Sequence, residues 1–271
     1  LNDLAINQNA LFDIKALIYA WFEHTLKGGE LPSMLKDRVN YFPIGETNWR
    51  HAPSIAQMHN DTLRFYLSSQ KEKRVYKLQR HAEKKLRYLQ QSVDFSDRRI
   101  TNNDYYPAPI IRNDIDRSNG FIFISEPLKD DLLINGSFSG EIFASINKRD
   151  MDFGVSLFEL TADGKYFHLS YTIHRASYIK DASHRNLITP YQITRLPLGQ
   201  TRLISKRLKA GSRIVAYLNI NKNPFSQLNY GSGKEVSDEN QSSAKPDLKV
   251  RWYNSSFLEI PVLRLTEQGM N

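Results

Sequence analysis

The stretch Gly120–Lys165 reads GFIFISEPLKDDLLINGSFSGEIFASINKRDMDFGVSLFELTADGK, and its reading decides the fold. It holds four apolar bursts of strand length: Phe121–Ile124, Leu132–Ile134, Gly140–Ile146 and Phe153–Leu160. Turn chemistry separates them at Glu126-Pro127, Asn135-Gly136 and Asp163-Gly164. Short strands at regular spacing with polar punctuation predict an antiparallel sandwich rather than a helical or parallel-sheet core.

Downstream the rhythm continues in Phe167–Arg175, Tyr191–Leu196, Thr201–Ile204 and Ile214–Asn219. The last of these follows the Ala210-Gly211-Ser212-Arg213 turn. Gly231–Asp247, rich in Gly, Ser, Lys, Asp and Asn, reads as a mobile loop. Lys249–Tyr253 and Ser256–Val262 read as a closing hairpin around Asn254-Ser255, and the tail from Thr266 as frayed.

Upstream, residues 1–27 read as a helix. Leu4, Leu11, Ile14, Leu17, Ile18, Trp21, Phe22 and Leu26 recur in three- and four-residue steps, and Lys27 with Gly28-Gly29 marks its end. Its broad apolar stripe must bury against something large, either the sandwich itself or a sheet upstream of Leu1. Arg38–Ile44 reads as a strand ending at Pro43, and Gly45–Arg50 as a turn that delivers Trp49. Leu63–Leu67 alternates, with Ser68-Ser69 closing it. Between Gln70 and Arg99 a helix and two strands, Val75–Leu78 and Leu86–Val93, both fit; period-two alternation favours the strands. Residues 97–119 read as a long connection.

The 271 residues suffice for one large domain or two modest ones with a real core. No apolar run approaches the roughly 20 residues of a membrane-spanning helix. There is no cysteine, which excludes disulfides, thiolate metal sites and a Cys nucleophile. Compartment stays open. The net charge of +8 concentrates in Gln70–Arg99, which reads as a solvated basic face without a nucleic-acid-binding motif. Leu1 reads as a cut or processed end.

No chemistry announces itself. The string Gly136-Ser-Phe-Ser-Gly140 has Phe138 where a nucleophile elbow needs Ser. Gly231-Ser-Gly233-Lys234 is a fragment of a phosphate loop without its strand and helix. The histidines (His24, His51, His59, His81, His168, His174 and His184) form no ligand pair. Asp130-Asp131, Asp114/Asp116 and Asp150/Asp152 could bind calcium but suit turn capping better. Aromatics at 11% fill a sandwich core, and a few exposed ones could stack on sugars.

Three ordered segments resemble the C-terminal part of the cocaine esterase / Xaa-Pro dipeptidyl-peptidase / glutaryl acylase (CocE/NonD) family of serine hydrolases. The first is Trp21-Phe-Glu-His-Thr-Leu-Lys-Gly28, followed by Tyr41–Gly45 and Asn48-Trp49-Arg50. The second is Ser125–Leu128, Asp131, Gly136, Asp152-Phe153, Asp163-Gly164 and Arg175-Ala176. The third is Leu208–Ile214, Asn223-Pro224-Phe225, Asn229–Gly233 and Ser256–Val262. His24, Thr25 and Ser212 depart from the family pattern.

The resemblance implies a jelly-roll, galactose-binding-like β-sandwich preceded by a helix that would belong to an α/β-hydrolase domain. Residues 1–45 would be the hydrolase remnant, helix and linker strand. Residues 46–271 would be the jelly roll, with a long irregular insertion around 68–119. It implies no catalytic residue in this chain, the Ser, acid and His all lying upstream of Leu1, and no cofactor and no metal. The partner would be the α/β-hydrolase catalytic domain of the same polypeptide, with possible homo-oligomer contacts and no nucleic acid or membrane. The sandwich would shape the substrate cleft of an enzyme cleaving esters, amides or Xaa-Pro peptides. The competing reading is a free-standing carbohydrate-binding jelly-roll module.

Overall fold

The computed structural model describes residues 4–97, 109–116, 119–199, 201–223 and 226–264. Most of the 97–119 connection, the Pro224-Phe225 pair and the tail from Thr266 lie outside these residues.

One helix, α1 (Ile14–Lys27), precedes the sheet. The Asp13 side chain caps it, accepting from the Lys15 and Ala16 N–H groups at 2.9 and 3.1 Å. Gly28, at φ 71°, ends it, donating its N–H to the His24 carbonyl. The helix is therefore shorter than the 1–27 expected. Asn7 instead caps a 3-10 turn over Gln8–Ala10, and Leu11 is extended.

Strands β1 (Val39–Tyr41) and β2 (Arg50–Ala52) form a small ribbon. The main sheet follows with β3 (Asp61–Glu72), β4 (Val75–Gln79), β5 (Tyr88–Val93), β6 (Ile111–Arg112) and β7 (Phe121–Ile124). Then come β8 (Leu132–Ser137), β9 (Ser139–Ile146), β10 (Asp152–Leu160), β11 (Tyr166–Arg175) and β12 (Thr194–Leu198). β13 (Leu203–Leu208), β14 (Arg213–Ile220), β15 (Leu248–Tyr253) and β16 (Phe257–Leu263) complete it. The two strands that alternation favours between Gln70 and Arg99 are β4 and β5, the second beginning at Tyr88 rather than Leu86. Among the described strand pairs only β4–β7 is parallel, and an isolated parallel bridge joins Ile44 to Lys206.

The sheet folds back on itself to enclose one core. Phe153, Val155 and Leu157 of β10, with Ala216 and Leu218 of β14, meet Ile142 and Ala144 of β9, Trp252 of β15 and Leu258 and Ile260 of β16. The Phe153 and Trp252 rings lie 6.0 Å apart across it. This is the mainly β sandwich expected. A smaller cluster (Ile115, Ile122, Phe158, Tyr166, Val215 and Tyr217) covers the outer face of β10 and β14, so β10 is buried on both sides.

Three turn readings do not survive. Asn135-Gly136 lies inside β8, where the buried Asn135 amide donates to the Met58 carbonyl and the Tyr41 hydroxyl. Ser68-Ser69 does not end β3, which runs on to Glu72 through a bulge. Both serines there donate to the Glu83 carboxylate. Burial alone would raise the Glu83 pKa, but bonds from Ser68, Ser69 and Asn254 outweigh it and hold it below the ordinary value.

The closing hairpin is also absent. β15 and β16 run end to end along one edge of β9 and β8, with partners Val250↔Ile146, Trp252↔Ala144, Phe257↔Glu141, Glu259↔Ser139 and Val262↔Ile134. Asn254 makes a jog rather than a reversal. Its side chain accepts from the Arg87 N–H and donates to Glu83 and the Lys85 carbonyl.

Candidate functional site

Most of the exposed large apolar side chains of the described residues lie before β1. No residue of α1 is buried. Ile14, Ile18, Trp21, Phe22 and Leu26 are 44–75% exposed, and the Trp21 and Phe22 rings meet edge-on at 5.1 Å. Packing of this stripe onto the sandwich, the first of the two expected fates, does not occur. Contiguous apolar side chains left in solvent are characteristic of interaction surfaces.

The base of that helix is fixed to the sandwich. Trp49 donates its indole N–H to the Asn9 carbonyl at 2.9 Å and sits edge-on to Phe12 and Phe42. Asn9 donates to the Thr47 carbonyl. The linker then joins β13, with Ile44 N–H to Ser205 C=O at 2.9 Å and Arg207 N–H to Ile44 C=O at 2.8 Å. Glu46 pairs with Arg207 and with Arg50. An apolar cleft of about 520 Å³ opens here between Leu4–Asn7 and Phe42–Thr47. The turn expected at 45–50 thus delivers Trp49 to the foot of α1.

The acidic pairs serve as clamps. Asp152, on β10, accepts two bonds from the Arg175 guanidinium, each 2.9 Å, and one from the Asn229 amide at 2.8 Å. Asn229 in turn accepts the Gly231 N–H at 2.9 Å. Asp150, fully buried, accepts from Ser177 N–H and Oγ and pairs with Arg185 at 3.3 Å. Asp131 accepts from Lys209 and the Ala210 N–H, which hold its carboxyl below the usual range. Asp114 accepts the N–H of Ile115. No group of three or more His, Asp or Glu gathers as a metal cage among the described residues.

The loop expected to be mobile is stitched down instead. Lys148 Nζ donates to the carbonyls of Tyr230, Ser243 and Ala244 at 2.8–2.9 Å. Glu239 accepts the Tyr230 and Ser232 N–H groups. Burial pushes the Lys148 ammonium below the ordinary lysine value. Composition marks this segment as a loop but cannot show that a buried cation organises it.

The Gly136–Gly140 string has no exposed hydroxyl at its centre: Phe138 is a core residue. Ser212, the departure from the family turn, is buried and donates to Glu159 at 2.8 Å. Glu159, itself buried, pairs with Lys206 at 2.7 Å.

The histidines are scattered. His24 faces the Gly29 carbonyl, His51 the Asn40 side chain and His184 the Asp181 carboxylate. His174 Nε2 meets Thr172. His168 is stacked between Phe158 and Tyr171 at 4.8 and 5.8 Å. Burial, with the nearby Arg112 charge, lowers its pKa from 6.5 to about 4.

The folded chain therefore holds His168 neutral while the unfolded chain takes up a proton below pH 6.5. Stability is full above that pH and falls as pH drops toward 4, by up to about 3 kcal/mol. His168→Phe is expected to flatten that part of the acid limb in urea midpoints measured from pH 7 to pH 4.

The sequence profile of the X-Pro dipeptidyl-peptidase C-terminal non-catalytic domain matches residues 34–245. No curated protein sequence matches the chain. Among solved structures, an aminopeptidase from a marine sediment Thaumarchaeota archaeon superposes with TM-score 0.76 at 17% identity, covering 92% of this chain and 44% of its own. An α-amino acid ester hydrolase gives TM-score 0.75 at 17% identity, covering 91% and 44%. A CocE/NonD family hydrolase from Staphylococcus aureus gives 0.61 at 12%, covering 92% and 45%. The chain thus spans under half the length of these relatives, and at such identities the likeness speaks for the fold. With its β-sandwich and a profile match over most of its length, the chain belongs to the family of X-Pro dipeptidyl-peptidase C-terminal non-catalytic domains.

Proposed function

We propose that this chain is the accessory domain of a serine hydrolase cleaving esters, amides or Xaa-Pro peptides, and that it docks an α/β-hydrolase catalytic domain of the same polypeptide through α1. The exposed apolar face of α1 carries this reading. Covering its five half-exposed side chains would contribute on the order of 5 kcal/mol. Residues 1–45 would side with the catalytic domain and 46–271 form the jelly roll, with the β13-bonded Ile44-Gly45 as the junction. Held there, the sandwich would wall one side of the substrate cleft, and the triad would lie on the partner domain. A free-standing carbohydrate-binding module leaves the α1 face without a purpose.

The 271-residue chain alone is expected to turn over neither a nitrophenyl ester nor an Xaa-Pro nitroanilide. Turnover abolished by mutating one of its own Ser or His residues overturns the reading. Trp21→Ser with Phe22→Ser is expected to weaken association with a separately expressed catalytic domain more than about tenfold. Because both side chains are exposed, the thermal midpoint of the sandwich should stay where it is. Unchanged association would remove α1 from the interface.

A further inference from the structure

A cavity of about 630 Å³ lies over the outward face of β15, between β5 and β9. Gln90, Asn147, Tyr191, Asp247, Lys249 and Arg251 line it. Val250 and Trp252 point into the core, so alternation turns Lys249 and Arg251 outward into the cavity. Arg251 stands in register with Gln90 on one side and Ser145 on the other, giving a polar row across three strands.

Tyr191 stands at the rim in a conformation its residue type disfavours. Its φ is 66°, the left-handed region, in a turn over Thr189–Gln192 closed by the Gln192 N–H to the Thr189 carbonyl. Its own N–H donates to the Ile146 carbonyl at 2.7 Å, which anchors the turn to β9. Glycine is the residue that turn position favours. The residue is 73% exposed, so no burial repays the strain. A bulky residue kept in a strained backbone with its side chain in water points to use of that side chain.

The rest of the cavity defines what would sit on the ring. Asn147 is committed to the wall, donating to the Asp247 carbonyl and accepting the Lys249 N–H. Asp247 is tied to Lys245 at 2.7 Å. Neither Lys249 nor Arg251 has a carboxylate partner among the described residues, and the Arg251 guanidinium lies 4.8 Å over the Tyr88 ring. With Lys245 also in the lining, three cations (Lys245, Lys249 and Arg251) face one carboxylate, that of Asp247. β15 is paired on both edges, so no strand edge is offered to a peptide.

We propose that this cavity binds an acidic saccharide. The apolar face of one sugar ring stacks on Tyr191, hydroxyls bond to Gln90, and a carboxylate or sulfate sits between Lys249 and Arg251. The site does not depend on the hydrolase reading.

The test is calorimetric titration of the 271-residue chain with four probes: a galacturonate oligosaccharide, a heparin-derived oligosaccharide, maltohexaose and polyglutamate. An acidic saccharide is expected to bind at least about tenfold more tightly than the other two probes, and the stronger of the carboxylated and sulfated arms identifies the acid. Tyr191→Gly should cost about tenfold in that affinity while the thermal midpoint stays level or rises. Tyr191→Asn, which also tolerates the left-handed region, should do the same. Arg251→Gln with Lys249→Gln should erase the preference for acid. Absence of binding to both acidic saccharides overturns the proposal. So does polyglutamate binding equally well, or affinity unmoved in Tyr191→Gly.

Discussion

Gly140→Ala is expected to leave the chain unfolded or destabilised by more than about 4 kcal/mol, the range reserved for mutations that strike a named structural constraint. Gly140 has φ 150° at the start of β9, where Leu258 is its cross-strand partner. A Cβ there would strike the Phe257 carbonyl oxygen and lie 2.9 Å from the Leu258 Cα. Both obstacles are backbone of a paired strand, so neither can swing aside. Gly164→Ala is the matched control. Its φ is 85°, yet nothing lies within 4 Å of the added Cβ. It should cost only the left-handed penalty, about 1–2 kcal/mol. Urea unfolding of both variants measures the difference, and two equal, small losses would refute close backbone approach at Gly140.

Asp152→Ala should cost about 2–4 kcal/mol, because it leaves a half-buried guanidinium and a buried amide without their shared acceptor. Asp152 is 7% exposed, and it joins Arg175 to Asn229. Its loss strands a guanidinium and an amide and frees the start of the 229–247 loop. Hydrogen exchange should then accelerate at Gly231 and along that loop. The exposed Lys245–Asp247 pair offers the contrast, and Lys245→Ala should leave the urea midpoint unmoved. A loss at Asp152 as small as at Lys245 would show that the network is ornamental.

Much of this architecture is legible from alternation and turn chemistry. Phe121–Ile124 and the bulk of β9, β10 and β11 follow their apolar periods, and Asp163-Gly164 turns where its residues say. Gly28 ends α1 as expected. The apolar stripe of α1 is also visible in the sequence, including its need for a partner. The start of α1 is not, because Asn7 and Asp13 are both competent caps and only the contacts of Phe12 and Asn9 with the 47–49 turn select between them.

The Asp152 clamp is illegible for a different reason. Its partners lie 23 and 77 residues away, and although Asp152, Arg175 and Asn229 all stand in the family signature, nothing in their spacing says that they meet. Tyr191 is similar: nothing in Thr-Pro-Tyr-Gln says that the tyrosine takes the position favoured for glycine.

By itself the sequence determined the strand periods, the class of fold, the family signature and the presence of an apolar helix face. Those are properties of spacing, and spacing survives in one dimension. The tertiary structure decided where turn-forming residues actually reverse the chain. Asn135-Gly136 continues a strand because Asn135 bonds to Met58 and Tyr41, while Pro261 would lie only 2.8 Å from a Cβ at Gly136. Asn254-Ser255 makes a jog because Glu83, Lys85 and Arg87 hold the Asn254 side chain. A residue that permits a turn also permits a bend within a strand. Long-range hydrogen bonds to its side chain and the space left for its backbone choose between the two.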